Sequence, residues 1–533
     1  MAHTSLFRYF VRTLQIAHRK NLEAEGNPVP STQRVNWTRR RFIKAATRAG
    51  GAAVATAPLS HLEKALSQSS FSGTRIAIVG GGMAGLNAAY QLKKAGLSAT
   101  VYEGRHRLGG RILSVVGAVG KGLVTDLGGS FINRDHNDML GLLKEFGLQS
   151  FNRVQDAQRF PVPEMGYCFD GKFRSEAEVA EKLRPLALQL AQDAERLDQD
   201  FDRFSRVFDQ LSVTEYLDKN AQAISDPFIR VLVENTIRTE FGAEPAESSA
   251  LALIFILPTV NGKQVEILGS SDESFCVQGG SGRVIKSLAA ALPGQIQTRM
   301  RLTQLQARDR GFRLTFNGNQ SIEADFVIIA IPFPVLRTID LQVRLPEQLR
   351  QMIKEVDLGF NEKVFAGFNQ KVWRQDQGFV TDVWTDLGFS EAWDETQRQV
   401  DRPDGALTFF LGGNEVKATR QLKAEALGRQ FIERLNQHLP GLQPASNHQF
   451  LRTQWADDPF VRGAYSRLKP GQITLFRNFR YLESDKPDQR QDVNVGNLIF
   501  AGEHLSGEFA GYMNGAAQTG RLAAEVIIRK LKS

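Results

Sequence analysis

Three glycines and one acid, Gly80, Gly82, Gly85 and Glu103, are the residues of this 533-residue chain whose types and spacing most directly imply chemistry. In Gly80-x-Gly82-x-x-Gly85 the first glycine makes a sharp turn. The second, with Met83 and Ala84 after it, lets a pyrophosphate approach the backbone, and the third lets a helix pack closely on a sheet. Glu103 lies 23 residues after Gly80, where a carboxylate accepts hydrogen bonds from ribose hydroxyls. The set implies an adenine-dinucleotide site, and with it a cofactor that carries the hard chemical step while the protein supplies orientation and electrostatics.

The neighbouring residues must build the elements that hold this set. Residues 75–79 are nearly all aliphatic, 87–95 are amphipathic, and 99–103 read as a second strand ending in the carboxylate. The result is a βαβ unit whose helix N-terminus faces the phosphates. A second glycine pair flanked by arginines follows in Glu103-Gly104-Arg105-His106-Arg107-Leu108-Gly109-Gly110-Arg111, and then comes Thr125-Asp126-Leu127-Gly128-Gly129-Ser130-Phe131-Ile132. Arginine forks and backbone N–H groups in that arrangement suit phosphate recognition. Near the C-terminus a strand-like run ends in Ala501-Gly502-Glu503-His504, and Phe509-Ala510-Gly511-Tyr512-Met513-Asn514-Gly515 leads into an amphipathic helix.

In this order the segments resemble the FAD-containing amine oxidase family, of the flavin monoamine oxidase and L-amino-acid oxidase type, over about residues 73–530. The resemblance implies an α/β fold: a glutathione-reductase-like Rossmann FAD domain with a discontinuous α+β substrate domain and a helical insertion. The FAD domain is expected from 73–150, 273–334 and 471–533, the helical, substrate-side insertion from 151–272, and the substrate domain from 335–470. By motif position the cofactor neighbours are Gly80, Gly82, Met83, Ala84, Gly85, Glu103, Gly104, Arg105, Gly109, Gly110, Arg111, Gly128, Gly129, Ser130, Phe131, Gly502, Glu503, Tyr512 and Met513, with Gly280 and Ser281 as further candidates.

The resemblance also assigns the catalytic positions. Tyr465 and Tyr512 match the paired aromatic rings that aim an amine at the flavin, and Lys363 matches a lysine that holds water beside the flavin and assists reaction with dioxygen. Some relatives carry a flavin-linked cysteine where this chain has Ala464, so noncovalent FAD is expected. The expected reaction is oxidative deamination of a primary amine or L-amino acid to an imine, then an aldehyde or 2-keto acid plus ammonia, with dioxygen reduced to hydrogen peroxide. A same-fold dehydrogenase or desaturase passing electrons to a quinone, and a non-catalytic FAD-binding protein, are the competing readings. The arginine that holds a substrate carboxylate in many L-amino-acid oxidases is missing from Gly128-Gly129-Ser130-Phe131. This favours an amine, although Arg134, Arg238 or Arg467 could approach from elsewhere. Phe255, Phe379, Trp384 and Trp393 are candidate pocket aromatics whose default reading is core packing.

The net charge of +8 invites a nucleic-acid reading. Residues 1–60 carry ten Lys or Arg against two Glu, so the rest of the chain is neutral on balance and offers no general polyanion-binding face. Two cysteines, Cys168 and Cys276, make no disulfide framework, and eight histidines without paired spacing give no metal site. Thr38-Arg39-Arg40-Arg41-Phe42-Ile43-Lys44 resembles a twin-arginine export signal, with Ala55-Thr56-Ala57 as a small-residue cleavage candidate in a targeting and linker segment over 1–72. The expected partners are a small amine or amino acid, dioxygen, and the twin-arginine translocase during export to the periplasm or outside. No stable membrane span is expected, and a homodimer is compatible with the resemblance.

Overall fold

The computed structural model describes residues 73–255, 258–261, 264–267, 273–375, 378–484 and 487–532. The twin-arginine motif, residues 55–57 and the Phe255 side chain lie outside the described residues.

β1 (Ile76–Val79) pairs in parallel with β2 (Ala99–Tyr102) on one side and with Phe326–Ile329 on the other. The six-stranded sheet runs Ile296–Gln297, β2, β1, Phe326–Ile329, Leu498–Phe500, Asn494–Val495, antiparallel only at its last pairing. Every residue of β1 and of Phe326–Ile329 is buried. A parallel sheet covered on both faces needs that, which is why these strands are continuous aliphatic runs without alternation.

One cover is α1 (Met83–Lys94), against which α2 (Met513–Lys532) packs closely. A Cβ on Gly520 would stand 2.3 Å from the Ala84 carbonyl oxygen. The Asn87 side chain donates to the Ala517 carbonyl at 2.7 Å. The last helix of the chain is thereby fixed to its first βαβ unit.

A second, seven-stranded sheet runs Ser446–Arg452, Asn361–Phe368, Gly405–Gly412, Glu391–Asp394, Asp382–Thr385, Met165–Phe169, Lys172–Arg174. Lys363, Phe410, Glu391 and Trp384 are successive register partners across four adjacent strands. Opposed residues in a sheet present their side chains on one face, so these four form a row.

Residues 151–272, expected to be helical, do contain the helices Glu176–Gln199, Phe201–Asp209 and Pro227–Phe241, but they also supply Met165–Phe169 and Lys172–Arg174 to this sheet. Met165–Phe169 is a short apolar run with every residue buried, and periodicity alone does not separate such a run from a helix segment. The charges of this region, expected on solvated faces, include buried Asp193, Asp209 and Glu240. Asp193 accepts from the Tyr216 hydroxyl at 2.7 Å, and Asp209 accepts from the Ser249 hydroxyl and the Thr474 amide.

Cys168 and Cys276 are buried free thiols. Among the described residues no helix is long and apolar enough to cross a membrane.

Candidate active site

A cavity of about 1590 Å³, its open mouth included, is lined by the glycine turn, by Glu103, by the 109–111 and 128–131 segments, and by Lys363, Tyr465 and Tyr512. A site for a drug-sized ligand occupies about 300–1,000 Å³. The space suits a dinucleotide with a substrate beside it.

The three glycines of the turn do three different things. Gly80 has φ +111°, and a Cβ there would meet the Ala330 carbonyl oxygen at 2.6 Å. Gly85 does not reach the cavity wall; its hydrogen lies where a Cβ would be 2.0 Å from the Gly80 oxygen, so it serves the packing of α1 on β1. Gly82, the N-cap of α1, has nothing within 4 Å of its would-be Cβ and opens on the cavity. Bare backbone at a helix N-terminus is a cradle for phosphate. α2 contributes a second one, with Tyr512, Met513 and Ala516 in the wall.

Glu103 accepts from the Gly81 amide at 2.7 Å with one oxygen and from the Arg105 amide at 2.8 Å with the other. It therefore fixes the turn as well as facing the cavity. Arg105 pairs with Asp458 and lies over the Phe460 ring at 5.4 Å. Arg111 donates to the Ala464 carbonyl at 2.8 Å and to Glu503 at 2.6 Å.

Glu503 also accepts from the Ser466 amide and hydroxyl and from the Gly511 amide. Burial is the largest single influence and works against its ionisation, but the charge and hydrogen bond of Arg111, together with neighbouring His504, hold the carboxyl down at about 2. One carboxylate thus joins the arginine segment to the two loops that carry Tyr465 and Tyr512.

Lys363 is 4% exposed. Its Nζ donates to the Asp126 carbonyl at 2.9 Å, the Gly128 carbonyl at 2.8 Å and the Ser130 hydroxyl at 2.7 Å, and sits 5.1 Å from the Trp393 ring centroid. Burial lowers its pKa, with Glu395 and Asp126 opposing. All three ammonium donors are used in holding the 126–130 segment against the sheet.

The Tyr465 hydroxyl donates to the Thr239 carbonyl. The Tyr512 ring meets His136 edge-on at 4.7 Å between centroids. Phe131 packs on Trp393, and Trp393 on Phe410, at 5.7 and 5.2 Å. Trp384, Trp393 and Phe379 are buried and stand outside the cavity wall.

Gly280 and Ser281, expected beside the cofactor, are not in the wall. Ser281 donates its amide to Asp126 at 3.0 Å, so this turn lies behind the 126–130 segment and supports it. Arg134, Arg238 and Arg467 do not line the cavity either. Arg238 is bonded to Glu244 and Asn235, and Arg467 to Glu247.

Asn361 was not singled out in the sequence, although it lines the cavity and donates to the Thr239 carbonyl at 3.1 Å. It precedes Lys363 by two residues in a strand, and period two would have placed it on the same face.

The model of the family described as flavin containing amine oxidoreductase matches residues 83–528. The chain is 26% identical over 484 residues to the flavin-containing amine oxidase B of Mus musculus, covering 86% of each. It is 25% identical to the probable flavin-containing monoamine oxidase A of Dictyostelium discoideum, over 86% of this chain and 98% of that one. Among solved structures, putrescine oxidase bound to putrescine superposes with TM-score 0.69 at 22% identity, over 86% of this chain and 99% of that one. Cyclohexylamine oxidase from Brevibacterium oxydans IH-35A does so with TM-score 0.70 at 21% identity, over 86% and 100%.

Proposed function

The chain belongs to the flavin-containing amine oxidoreductase family, its cofactor is FAD, and from that premise we propose that it oxidises a primary amine lacking a carboxylate, with dioxygen as acceptor. Overall, amine, dioxygen and water become aldehyde, ammonia and hydrogen peroxide. The observation that carries the reading is that Tyr465, Tyr512 and Lys363 line the same cavity as the dinucleotide turn.

The residues present fit FAD. Gly82 leaves bare backbone toward the cavity, two helix N-termini reach it, and Glu103 stands at the end of β2 where a ribose would lie. Neither cysteine lines the cavity, and Ala464 does, in keeping with noncovalent attachment. When bound, FAD supplies the two-electron acceptor for the carbon that bears the amine.

The protein's own part is orientation and desolvation. Tyr465 and Tyr512 offer aromatic surface whose apolar character disfavours an ammonium and favours the neutral, reactive amine. The Thr239 carbonyl and the His136 ring hold these two side chains in place. The absence of Arg134, Arg238 and Arg467 from the wall supports an amine over an amino acid. Lys363 supplies positive charge beside the site, where negative charge develops on dioxygen.

The test is anaerobic reduction of the holoprotein by phenethylamine against L-phenylalanine, followed by peroxide counted per amine consumed. Faster bleaching by the amine and one peroxide per turnover support the reading; bleaching by the amino acid alone overturns it. One observation favours a second reading: with all three Lys363 donors held by protein oxygens, none is left to position a water. Bleaching without peroxide, restored to turnover by a quinone, would decide for a dehydrogenase.

A further inference from the structure

A lysine as buried as Lys363 needs opposite charge within reach, yet the oxygens that take its three donors are two carbonyls and a hydroxyl. The charge comes from behind the wall. On the face of the sheet that carries Lys363 and its partner Phe410, Trp393 lies one strand further on, opposite Thr408. Its ring stands 5.1 Å from Nζ. The Trp393 indole N–H donates to Glu395 Oε2 at 2.9 Å, and the Thr408 hydroxyl donates to the same oxygen at 2.8 Å.

Glu395 Oε1 reaches the other side of the lysine. It accepts the Asp126 amide at 2.7 Å, and the carbonyl of that same residue takes Lys363 Nζ at 2.9 Å. The Asp126 carboxylate is engaged elsewhere: Arg398 Nη1 donates to one oxygen at 2.9 Å, and the Ser114 hydroxyl and Ser281 amide donate to the other. Arg398 Nη2 also lies 3.8 Å from Glu395. Lys363, Arg398, Asp126 and Glu395 are thus two cations and two carboxylates, each 0–5% exposed. The group is neutral only while Lys363 is charged.

Holding a segment against a sheet asks only for donors, which a neutral amide could supply, whereas each buried ion costs several kcal/mol in lost hydration. What a neutral donor cannot supply is positive charge at the cavity wall. Burial lowers the Lys363 pKa; among the charges, Glu395 leads in raising it, followed by Asp126, with Arg398 opposing and Glu273 adding to the rise. Glu362, the next residue of the strand, faces the other way and pairs with Arg452 at 2.6 Å. An indole whose N–H is held by a carboxylate also presents a more electron-rich face to the ammonium.

We propose that Glu395 is a positioning residue for reaction with dioxygen: through the Trp393 indole and the Asp126 amide it keeps Lys363 cationic in the cavity wall. This rests on the reading that dioxygen is the acceptor and adds the group that maintains the charge. Dioxygen takes two electrons from the reduced flavin and two protons, and leaves as hydrogen peroxide. The Lys363 ammonium stabilises the negative charge that develops on it.

The experiment reduces the holoprotein photochemically, without an amine, and mixes it with aerated buffer from about pH 6 to about 10, in the wild type, E395Q, W393F and K363M. The rate of reoxidation is expected to fall along an alkaline limb. At the wild-type midpoint E395Q should be about fivefold slower, which is the same limb moved about one unit toward lower pH. W393F, which keeps a ring and loses the N–H, should move it the same way by less, and K363M should show no limb. The reduction potential of the bound flavin, measured against reference dyes, should carry the same inflection without any turnover. A purely structural Glu395 would lower the melting temperature or flavin content and leave the limb in place. Where E395Q does not fold, W393F decides. A limb that stays in place in the folded variants, persists in K363M or is absent from all of them overturns the inference and leaves amine oxidation standing. Reoxidation no faster than that of free flavin at any pH overturns dioxygen as the acceptor and the inference with it.

Discussion

The Arg111 guanidinium donates to the Glu503 carboxylate at 2.6 Å across 392 residues of sequence. That pair ties the segment after β2 to the strand-end before α2, and the other bonds of Glu503 reach Ser466 and Gly511. Tyr465 and Tyr512 are therefore positioned from one carboxylate.

Glu503→Gln should show this in acid. Its carboxyl lies near 4.5 when unfolded and about 2 when folded, so the folded state binds fewer protons between those values. The stabilisation is complete above about pH 4.5 and is lost as pH falls toward 2. Denaturation across pH should find the variant about 3 kcal/mol less stable at neutral pH and with a flatter acid limb.

Gly82→Ala and Gly85→Ala should separate binding from folding. The first adds a methyl with nothing within 4 Å and should leave apoprotein stability within about 0.5 kcal/mol while lowering flavin content. The second drives a Cβ to 2.0 Å from the Gly80 oxygen and should cost about 3 kcal/mol or more. Apoprotein melting and flavin-to-protein ratio measure the two effects.

Tyr465→Phe removes one donor from the Thr239 carbonyl, which keeps the Asn361 amide at 3.1 Å. The cost should be about 1 kcal/mol, with flavin reduction little changed. Tyr465→Ala and Tyr512→Ala, which delete the rings, should slow anaerobic reduction about tenfold or more with flavin retained. Stopped-flow reduction of each variant checks this.

Lys363→Met leaves three oxygens, of Asp126, Gly128 and Ser130, without their present donor. Stability should fall by about 2 kcal/mol, and reoxidation by dioxygen should slow about tenfold while anaerobic reduction changes less than about twofold. Slowed reoxidation would tie the cation to oxygen chemistry. A lower flavin content with unaltered reoxidation would confine it to holding the loop.

What could be read from sequence was what lies close in sequence. The turn at Gly80, the acid at Glu103 and the motif around Gly128 are short segments whose own geometry makes the site, so spacing revealed them. Asp193 and Asp209 could not be placed that way: they lie on helices yet are buried against Tyr216, Ser249 and Thr474, and an acid in an amphipathic pattern reads as solvated. Gly280 and Ser281 show the converse error. A glycine turn opening a helix resembles a phosphate cradle, but the Asp126 carboxylate takes the Ser281 amide. Local pattern shows that a helix start is available to an anion without showing which anion takes it.

The placement of α2 also has a consequence in time. Its first turn, with Tyr512, Met513 and Ala516, forms part of the cavity wall, and its Gly520 locks onto Ala84 near the beginning of the fold. A ribosome delivers β1, α1 and β2 well before α2, and the wall they share with α2 is missing until α2 has emerged. The full cofactor wall then waits for α2, and a chain cut short before Met513 would present an open nucleotide-binding half with no lock.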